Sequence, residues 1–497
     1  MSKLIKAAMM VAMIATGIAT AAPVEGEYLI KLKDSRSETV SNLSRLVPAG
    51  TEFQSLGFKN WTLVKLPDNV ARFQIAMQLL GRLPNVEYVQ PNYKVQLLDN
   101  PNLTADVAAA LEDECPVPIP GFCDIFPIPG GGSKDNPKIP SRGSPGTGED
   151  PNLGNQWGMT NIGAQEGWKH TKGDPKVVVA VIDTGVDYTH EDIADNLWRN
   201  PGETGTDSSG QDKSANGKDD DGNGYVDDVI GWDFVTEDNL PFDLKGNIFQ
   251  GGNPGHGTHC AGNVAARGFN GKGISGVAPH VSLMVIRFLG EAGQGTTAGA
   301  IKSIRYAVDN GAKVMSNSWG SSGEDPDDAE GNRALREAVQ YSQDKGVLFI
   351  AAAGNGGSDG RGDNNDTAND ASYPASYPND IIISVAALDS ADGLGAFSNF
   401  GVATVDIGAP GVKVYSTIVG NGYSDTVIPL LGATWDGTSM ATPHVAGAAA
   451  LYWSKYPNKT WREVKNAIMT SATKINSMNG KSVSGGKLNV GELMMKK

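Results

Sequence analysis

Cysteine is scarce in this chain: Cys115, Cys123 and Cys260 are its only three among 497 residues. That excludes a disulfide-built scaffold, and the length allows a large apolar core and more than one domain. Cys115 and Cys123, with prolines between them, fit a local disulfide in an oxidising compartment, which leaves Cys260 as a thiol. Positive charge is short as well. Against 56 Asp and Glu stand 41 Lys and Arg, a net charge of −15. Such a balance argues against nucleic acid and anionic membrane as partners. A membrane anchor is not expected either, because Ala7–Ile18 is too short for a span and no other stretch is long and apolar enough.

What is present divides the chain into segments. Lys3 and Lys6, the apolar run Ala7–Ile18 and the small residues Ala19-Thr20-Ala21 read as a secretory signal over residues 1–21. No cysteine follows Ala21 to take a lipid. The protein is therefore expected outside the cytoplasm, secreted or periplasmic. Residues 22–99 read as a small α+β, ferredoxin-like domain: strands at Glu27–Lys33, Trp61–Leu66 and Val86–Leu97, with helices at Ser37–Leu46 and Val70–Leu83. Residues 100–150, rich in Pro, Gly and Ser, read as a linker. From 151 to 497 apolar runs alternate with helical stretches. The runs are Val177–Ile182, Val281–Leu289, Lys313–Asn317, Val347–Ala353 and Ile381–Leu388; the helices Thr297–Asn310 and Arg333–Lys345 each end near a glycine. This is the pattern of an α/β domain with a doubly wound, mostly parallel sheet, whose active site belongs at the C-terminal ends of the strands.

Three segments carry chemistry. The first strand ends in Asp183-Thr184-Gly185, and a carboxylate is costly to bury there unless something needs it. Gly255-His256-Gly257-Thr258-His259-Cys260 opens a small-residue helix. Read as a metal pair, His256 and His259 lack a third ligand cluster. In Gly437-Thr438-Ser439-Met440-Ala441-Thr442-Pro443, Ser439 stands at the N-terminus of an apolar helix, with Pro443 expected in its first turn. The elbow of the lipase and esterase class would need glycine where Ala441 stands.

Together, in the order Asp, His, Ser, these motifs resemble the signatures of the subtilisin-like serine peptidases. The resemblance covers about Asn152 to the C-terminus, and Val86–Tyr93 resembles the end of that family's inhibitory propeptide. It implies a serine endopeptidase acting on protein and peptide substrates, made as a self-processed zymogen and monomeric. Ser439 would be the nucleophile, His256 the general base and Asp183 its orienting carboxylate. Asn355, after the strand Val347–Ile350, would supply an oxyanion donor. Ser318-Trp319-Gly320 and Gly354 match the edge that binds extended peptide, and Trp319 with the neutral glycines implies a roomy first pocket preferring large apolar side chains. The linker is longer than the family's usual join, so the maturation cut falls anywhere within about 98–155. Cys260 reads as a small buried hydrophobe beside the histidine. A catalytically silent binding protein on the same fold is the alternative, opposed by retention of all these residues.

Calcium is the expected cofactor. Asp219, Asp221, Asn223, Tyr225 and Asp227, around Gly224, follow the first positions of an EF-type loop, with Ile230 where that motif wants Glu and Asp228 as a substitute ligand. By resemblance alone, Asp192 matches a family calcium carboxylate, Asp150 an N-terminal ligand of some members, and Ala375, Tyr377 and Asp406 a weaker cation site.

Overall fold

The computed structural model describes residues 22–34, 37–67, 73–98, 137–141, 146–246, 252–322, 332–356, 359–367, 369–428 and 432–497. The expected leader, Cys115, Cys123 and most of the expected linker lie outside the described residues.

Residues 22–98 fold as β1 (Pro23–Leu32), α1 (Ser37–Leu43), β2 (Glu52–Phe58), β3 (Trp61–Lys65), α2 (Phe73–Gly81) and β4 (Val86–Leu97). The strands lie in the order β4-β1-β3-β2, every pair antiparallel, which is the ferredoxin-like arrangement. Strand β2 is absent from the sequence expectation. Its residues EFQSLGF are mostly exposed, so no apolar alternation marks it. Along β1 the two-residue period separates two cores. Tyr28, Ile30 and Leu32 face α1 and α2, while Leu29, with Trp61 and Leu63 of β3, joins the large core of the following domain.

That domain runs through β5 (Val178–Asp183), β6 (Gly231–Asp233), α3 (His256–Ala265), β7 (Ser282–Arg287), β8 (Gln294–Thr296), α4 (Thr297–Asp309), β9 (Val314–Asn317), β10 (Trp319–Ser322), α5 (Arg333–Lys345), β11 (Leu348–Ala352), β12 (Ser372–Tyr373), β13 (Ile382–Leu388), β14 (Ile407–Pro410), α6 (Thr438–Lys455) and α7 (Trp461–Ser471). Its nine-stranded sheet has the order Thr473–Lys474, Gly486–Lys487, β14, β13, β11, β9, β5, β7, β6, with only the first pair antiparallel. Every residue of β5, β7, β11 and β13 is buried, as helices on both faces require. The winding reverses where the chain leaving β7 crosses β5 and places β9 on its other side, so a crevice opens at the C-terminal ends of β5 and β9. Into it points the start of α6, a helix apolar all round and buried almost throughout. No helix among the described residues is long and apolar enough to cross a membrane.

Two imidazoles are sealed in this interior. His444 of α6 donates from Nδ1 to Met440 O at 2.8 Å; His259 of α3 meets Val414 O at 3.0 Å and stacks on Trp435. Burial pushes His444 down to about 4 and His259 down to about 3, from an ordinary 6.5. Because the unfolded chain binds these protons more readily, the stability they permit is complete above about 6.5 and falls as pH drops toward the folded values. Between pH 6.5 and 5 each imidazole costs roughly 2 kcal/mol. In urea titrations of the full-length Ser439→Ala chain, His444→Gln should flatten the acid loss by about that amount; equal slopes in the two chains would refute it.

Candidate active site

Asp183 ends β5 and His256 opens α3. Both are buried, and His256 Nδ1 donates to Asp183 Oδ1 at 2.7 Å; Thr184 N donates to the same oxygen at 2.8 Å. Such closeness needs a helix start lying against a strand end. A Cβ on Gly257 would stand 2.1 Å from Gly185 O, so glycine there is a steric necessity, and Gly257 N donates to Thr184 Oγ1 at 2.9 Å.

Two residues that sequence reasoning missed hold this junction. The buried carboxylate of Asp243 accepts from Thr184 Oγ1 (2.8 Å), Asn253 Nδ2 (2.7 Å), Thr258 N (2.9 Å) and Thr258 Oγ1 (2.6 Å). Asn253 Oδ1 in turn accepts from Gly255 N and His256 N, both at 2.9 Å, and so caps the entry to α3. Neither residue stands in a recognisable motif; the hydrogen bonds are visible only once the loop is folded.

Ser439 is the second residue of α6. Its Oγ lies 2.8 Å from Leu98 O and 3.0 Å from Ser318 O. Pro443 falls in the second helical turn, not the first as expected, and the N–H it lacks would have bonded Ser439 O. That freed carbonyl is met by Ser318 Oγ at 3.0 Å and by Cys260 Sγ at 3.5 Å. Cys260 also touches the imidazole, 3.8 Å from Nδ1 and 4.0 Å from Nε2, so the thiol packs between the histidine and the serine segments. Burial raises its pKa, which keeps it a neutral thiol. His259 turns away to Val414 and Trp435 and is no partner of His256 in a metal pair.

Asn355, just beyond β11, is aimed by α6. Its Oδ1 accepts from Thr438 N (2.9 Å) and Thr438 Oγ1 (2.8 Å), and its Nδ2 donates to Leu98 O. Gly354 N donates to Thr438 Oγ1 at 3.2 Å. The carbonyl of Leu98 is thus held between the serine hydroxyl and the asparagine amide.

Leu98 arrives there as the continuation of β4. The far half of β4 lies between two antiparallel neighbours, pairing Leu97 with Trp319 and Gln96 with Gly320 of β10, and Lys94, Val95 and Gln96 with Thr296, Gly295 and Gln294 of β8. The expected peptide-binding edge, Ser318-Trp319-Gly320, therefore carries a strand of the protein's own N-terminal unit. The Leu98 side chain is 5% exposed and lies against Gly320, where a Cβ would come 3.3 Å from its Cδ1. Trp319 needs a correction. Its indole is 0% exposed and packs edge-on against Phe288, so the residue lends the cleft its backbone and not a pocket wall.

Of the expected calcium ligands, Asp221, Asn223 and Asp228 meet through Asn223 Nδ2, while the others turn to separate partners. Asp219 spends its oxygens on the N–H groups of Gly222 (2.7 Å), Asn223 (3.2 Å) and Gly224 (2.9 Å), and Asp227 on those of Asn216 and Gly217. Asn223 Oδ1 accepts from Tyr225 N, and the Tyr225 ring sits among Trp232, Phe234 and Tyr306. Asp192 accepts from Asn270 Nδ2, Ile274 N and Tyr423 OH, and Asp150 from Phe269 N and Asn270 N. Asp406 accepts from Ser384 N, with the Lys465 ammonium 3.4 Å away, so a side-chain cation already balances it. Two of the expected residues, Asp221 and Asp228, lie in a cluster of carboxylates with Glu203, their ligand atoms within 4.8 Å of one another.

Comparison with known proteins agrees with this geometry. The profile of the subtilase family, peptidase S8, matches residues 174–486. Thermitase of Thermoactinomyces vulgaris is 35% identical over 320 residues, covering 64% of this chain and 89% of thermitase. A thermophilic serine proteinase of Bacillus sp. strain AK1 is 37% identical over 322 residues, 65% of this chain and 63% of that longer protein. The crystal structure of fervidolysin from Fervidobacterium pennivorans, described as a keratinolytic enzyme related to subtilisin, aligns with a TM-score of 0.64 at 25% identity, covering 96% of this chain and 61% of that one. With its motifs gathered at one crevice and more than half its length matched by the profile, this chain belongs to the subtilase family.

Proposed function

We propose that the chain is the precursor of a secreted serine endopeptidase that cuts itself between Leu98 and Asp99, with residues 22–98 as its inhibitory propeptide. The observation that carries this reading is the Leu98 carbonyl, 2.8 Å from Ser439 Oγ and bonded to Asn355 Nδ2. Ser439 Oγ adds to the carbonyl carbon while His256 takes its proton and Asp183 holds the imidazole and its developing charge. The oxygen becomes an oxyanion between Asn355 Nδ2 and the Ser439 backbone N–H. Collapse breaks the bond to Asp99 N, which leaves as an amine with the proton from His256. Water then hydrolyses the acyl-enzyme and releases the Leu98 carboxylate. Other protein and peptide substrates would enter as β4 does, between β8 and β10. Main-chain pairing makes that edge permissive, and the Leu98 pocket sets a preference for large apolar residues before the cut. The apolar residues 7–18 and the small residues that follow support export. Calcium belongs to this reading as a stabilising ion.

Wild-type chain should mature to a product beginning at Asp99, while Ser439→Ala remains full-length; N-terminal sequencing and mass spectrometry decide. A mature product with its only new N-terminus elsewhere would refute the assigned bond, and an intact wild-type chain unreactive toward a serine-directed phosphonate would refute the peptidase reading.

The oxyanion and junction roles have separate signatures. Asn355→Leu should lower kcat about 10²–10³-fold with little change in KM, a scale known for a subtilisin. Gly257→Ala should lower kcat/KM about a hundredfold by pushing α3 from β5. Steady-state kinetics on a leucine-containing peptide measures both; activity of either variant within about twofold of wild type contradicts the assigned geometry.

A further inference from the structure

We propose that residues 137–141 stay in the mature enzyme as a strap that steadies the catalytic junction through Tyr188, a positioning residue. This inference rests on the proteolytic reading, which gives the junction its task. Tyr188 stands shortly after the turn Asp183-Thr184-Gly185. It is 0% exposed, and its hydroxyl has one partner among the described residues, Pro137 O at 2.7 Å. Burial, with Asp238, Asp187 and Asp233 near by, raises its pKa, so the phenol stays a neutral donor. A buried donor is costly unless an acceptor meets it, and the acceptor here arrives from 51 residues upstream. The same segment is attached twice more. Pro140 O accepts from Arg199 Nη2, and Ile139 packs against the large core.

What Tyr188 holds in turn is the segment that carries Asp243. The Tyr188 ring stands edge-on to Phe242, with centroids 5.2 Å apart. Phe242 adjoins Asp243, the carboxylate that ties Thr184 to Thr258. One residue earlier, Pro241 O accepts from Val186 N at 3.1 Å, and a Cβ on Gly185 would stand 2.7 Å from that same oxygen. Residues 241–243 therefore lie against the turn that begins at Asp183. The bond to Pro137 fixes the phenol end of the ring, and the ring backs Phe242. Tyr188 touches no reacting atom. It acts through the placement of Asp243, and Asp243 through the strand end and helix start whose contact sets the 2.7 Å bond between His256 and Asp183.

Kinetics of the matured enzyme and hydrogen exchange of the full-length Ser439→Ala chain test the strap. Tyr188→Phe keeps the ring and removes the bond to Pro137. On a leucine-containing peptide its kcat should fall about tenfold, with KM within about twofold of wild type. Ile139→Asp loosens the strap from its own side by putting a charge into the apolar anchor. It should cause a like loss, and the double variant should lose no more than either alone, because both break one attachment. In the Ser439→Ala chain the amides of Val186 and Thr258, whose acceptors lie on Pro241 and Asp243, should exchange at least about tenfold faster with either substitution, while those of β13 stay as they were. Mass spectrometry of the matured wild-type enzyme should find residues 137–141 within it. Unchanged kcat, additive losses, exchange that is unaltered or equally fast in β13, or a fully active product lacking residues 137–141 would each overturn the strap. A wild-type chain without peptidase activity would remove the proteolytic reading instead, and exchange would still decide whether the strap holds the junction. If Tyr188→Phe fails to fold, Ile139→Asp carries both measurements.

Discussion

The buried bond between His256 and Asp183, 2.7 Å long, sets the constraint that the surrounding structure meets. An ionisable pair sealed from water loses its hydration, so the fold must return hydrogen bonds and hold the geometry tightly. A strand end and a helix start must therefore touch, which side chains would prevent. Gly257 removes the obstacle, and Thr184 and Asp243 then turn the contact into a network of short hydrogen bonds. Asp243 is a second buried carboxylate whose burial is offset by four donors. It acts as a positioning residue: it touches both walls of the junction and neither reacting atom.

Much of the scaffold is legible in the sequence because burial on both faces writes itself as uninterrupted apolar runs. Strands β7, β9, β11 and β13 fall within the predicted runs, β5 runs one residue past its own to Asp183, and α5 has the predicted bounds. Strands β2, β6 and β14 escape for physical reasons. The first is a largely exposed edge, the second has three residues, and the third reads Ile-Gly-Ala-Pro, without a β-branched run. The seating of β4 between β8 and β10 is also invisible beforehand, since main-chain pairing leaves no side-chain signature.

The site divides the same way. Asp183, His256, Ser439 and Asn355 stand in long motifs, and resemblance locates them. Asp243 and Asn253 stand in none; each matters through a contact that folding creates. The acidic loop misleads in part, because short oxygen-bearing side chains serve two purposes. At Asp219 and Asp227 they satisfy local backbone N–H groups, as Asp and Asn do in any tight turn, and the same alternation mimics a cation loop. Trp319 misleads differently, because its neighbours hold the cleft while its own ring turns into the core.

An inhibitor and a substrate meeting the same edge must differ in something other than the edge. The ladder from Lys94 to Leu97 is made of main chain and would form with any extended peptide. Residues 22–98 add contacts that a short peptide lacks. Gln90 Oε1 accepts from Ala334 N and Asn92 Oδ1 from Ala298 N, capping the first turns of α5 and α4. Lys31 and the Trp61 indole both bond Glu337, and Arg333 bridges Glu337 and Glu87. The apolar face of β1 and β3 completes this by joining the large core. These contacts lie on the folded unit and outside the cleft, so breaking the chain at Leu98 would remove none of them. On the proposed reading the cut alone leaves the crevice filled, and release requires the unit itself to unfold or be digested. The strength of self-inhibition then depends on the stability of a small domain whose own core, among the described residues, is nine buried apolar side chains, and not on the affinity of the strand it inserts.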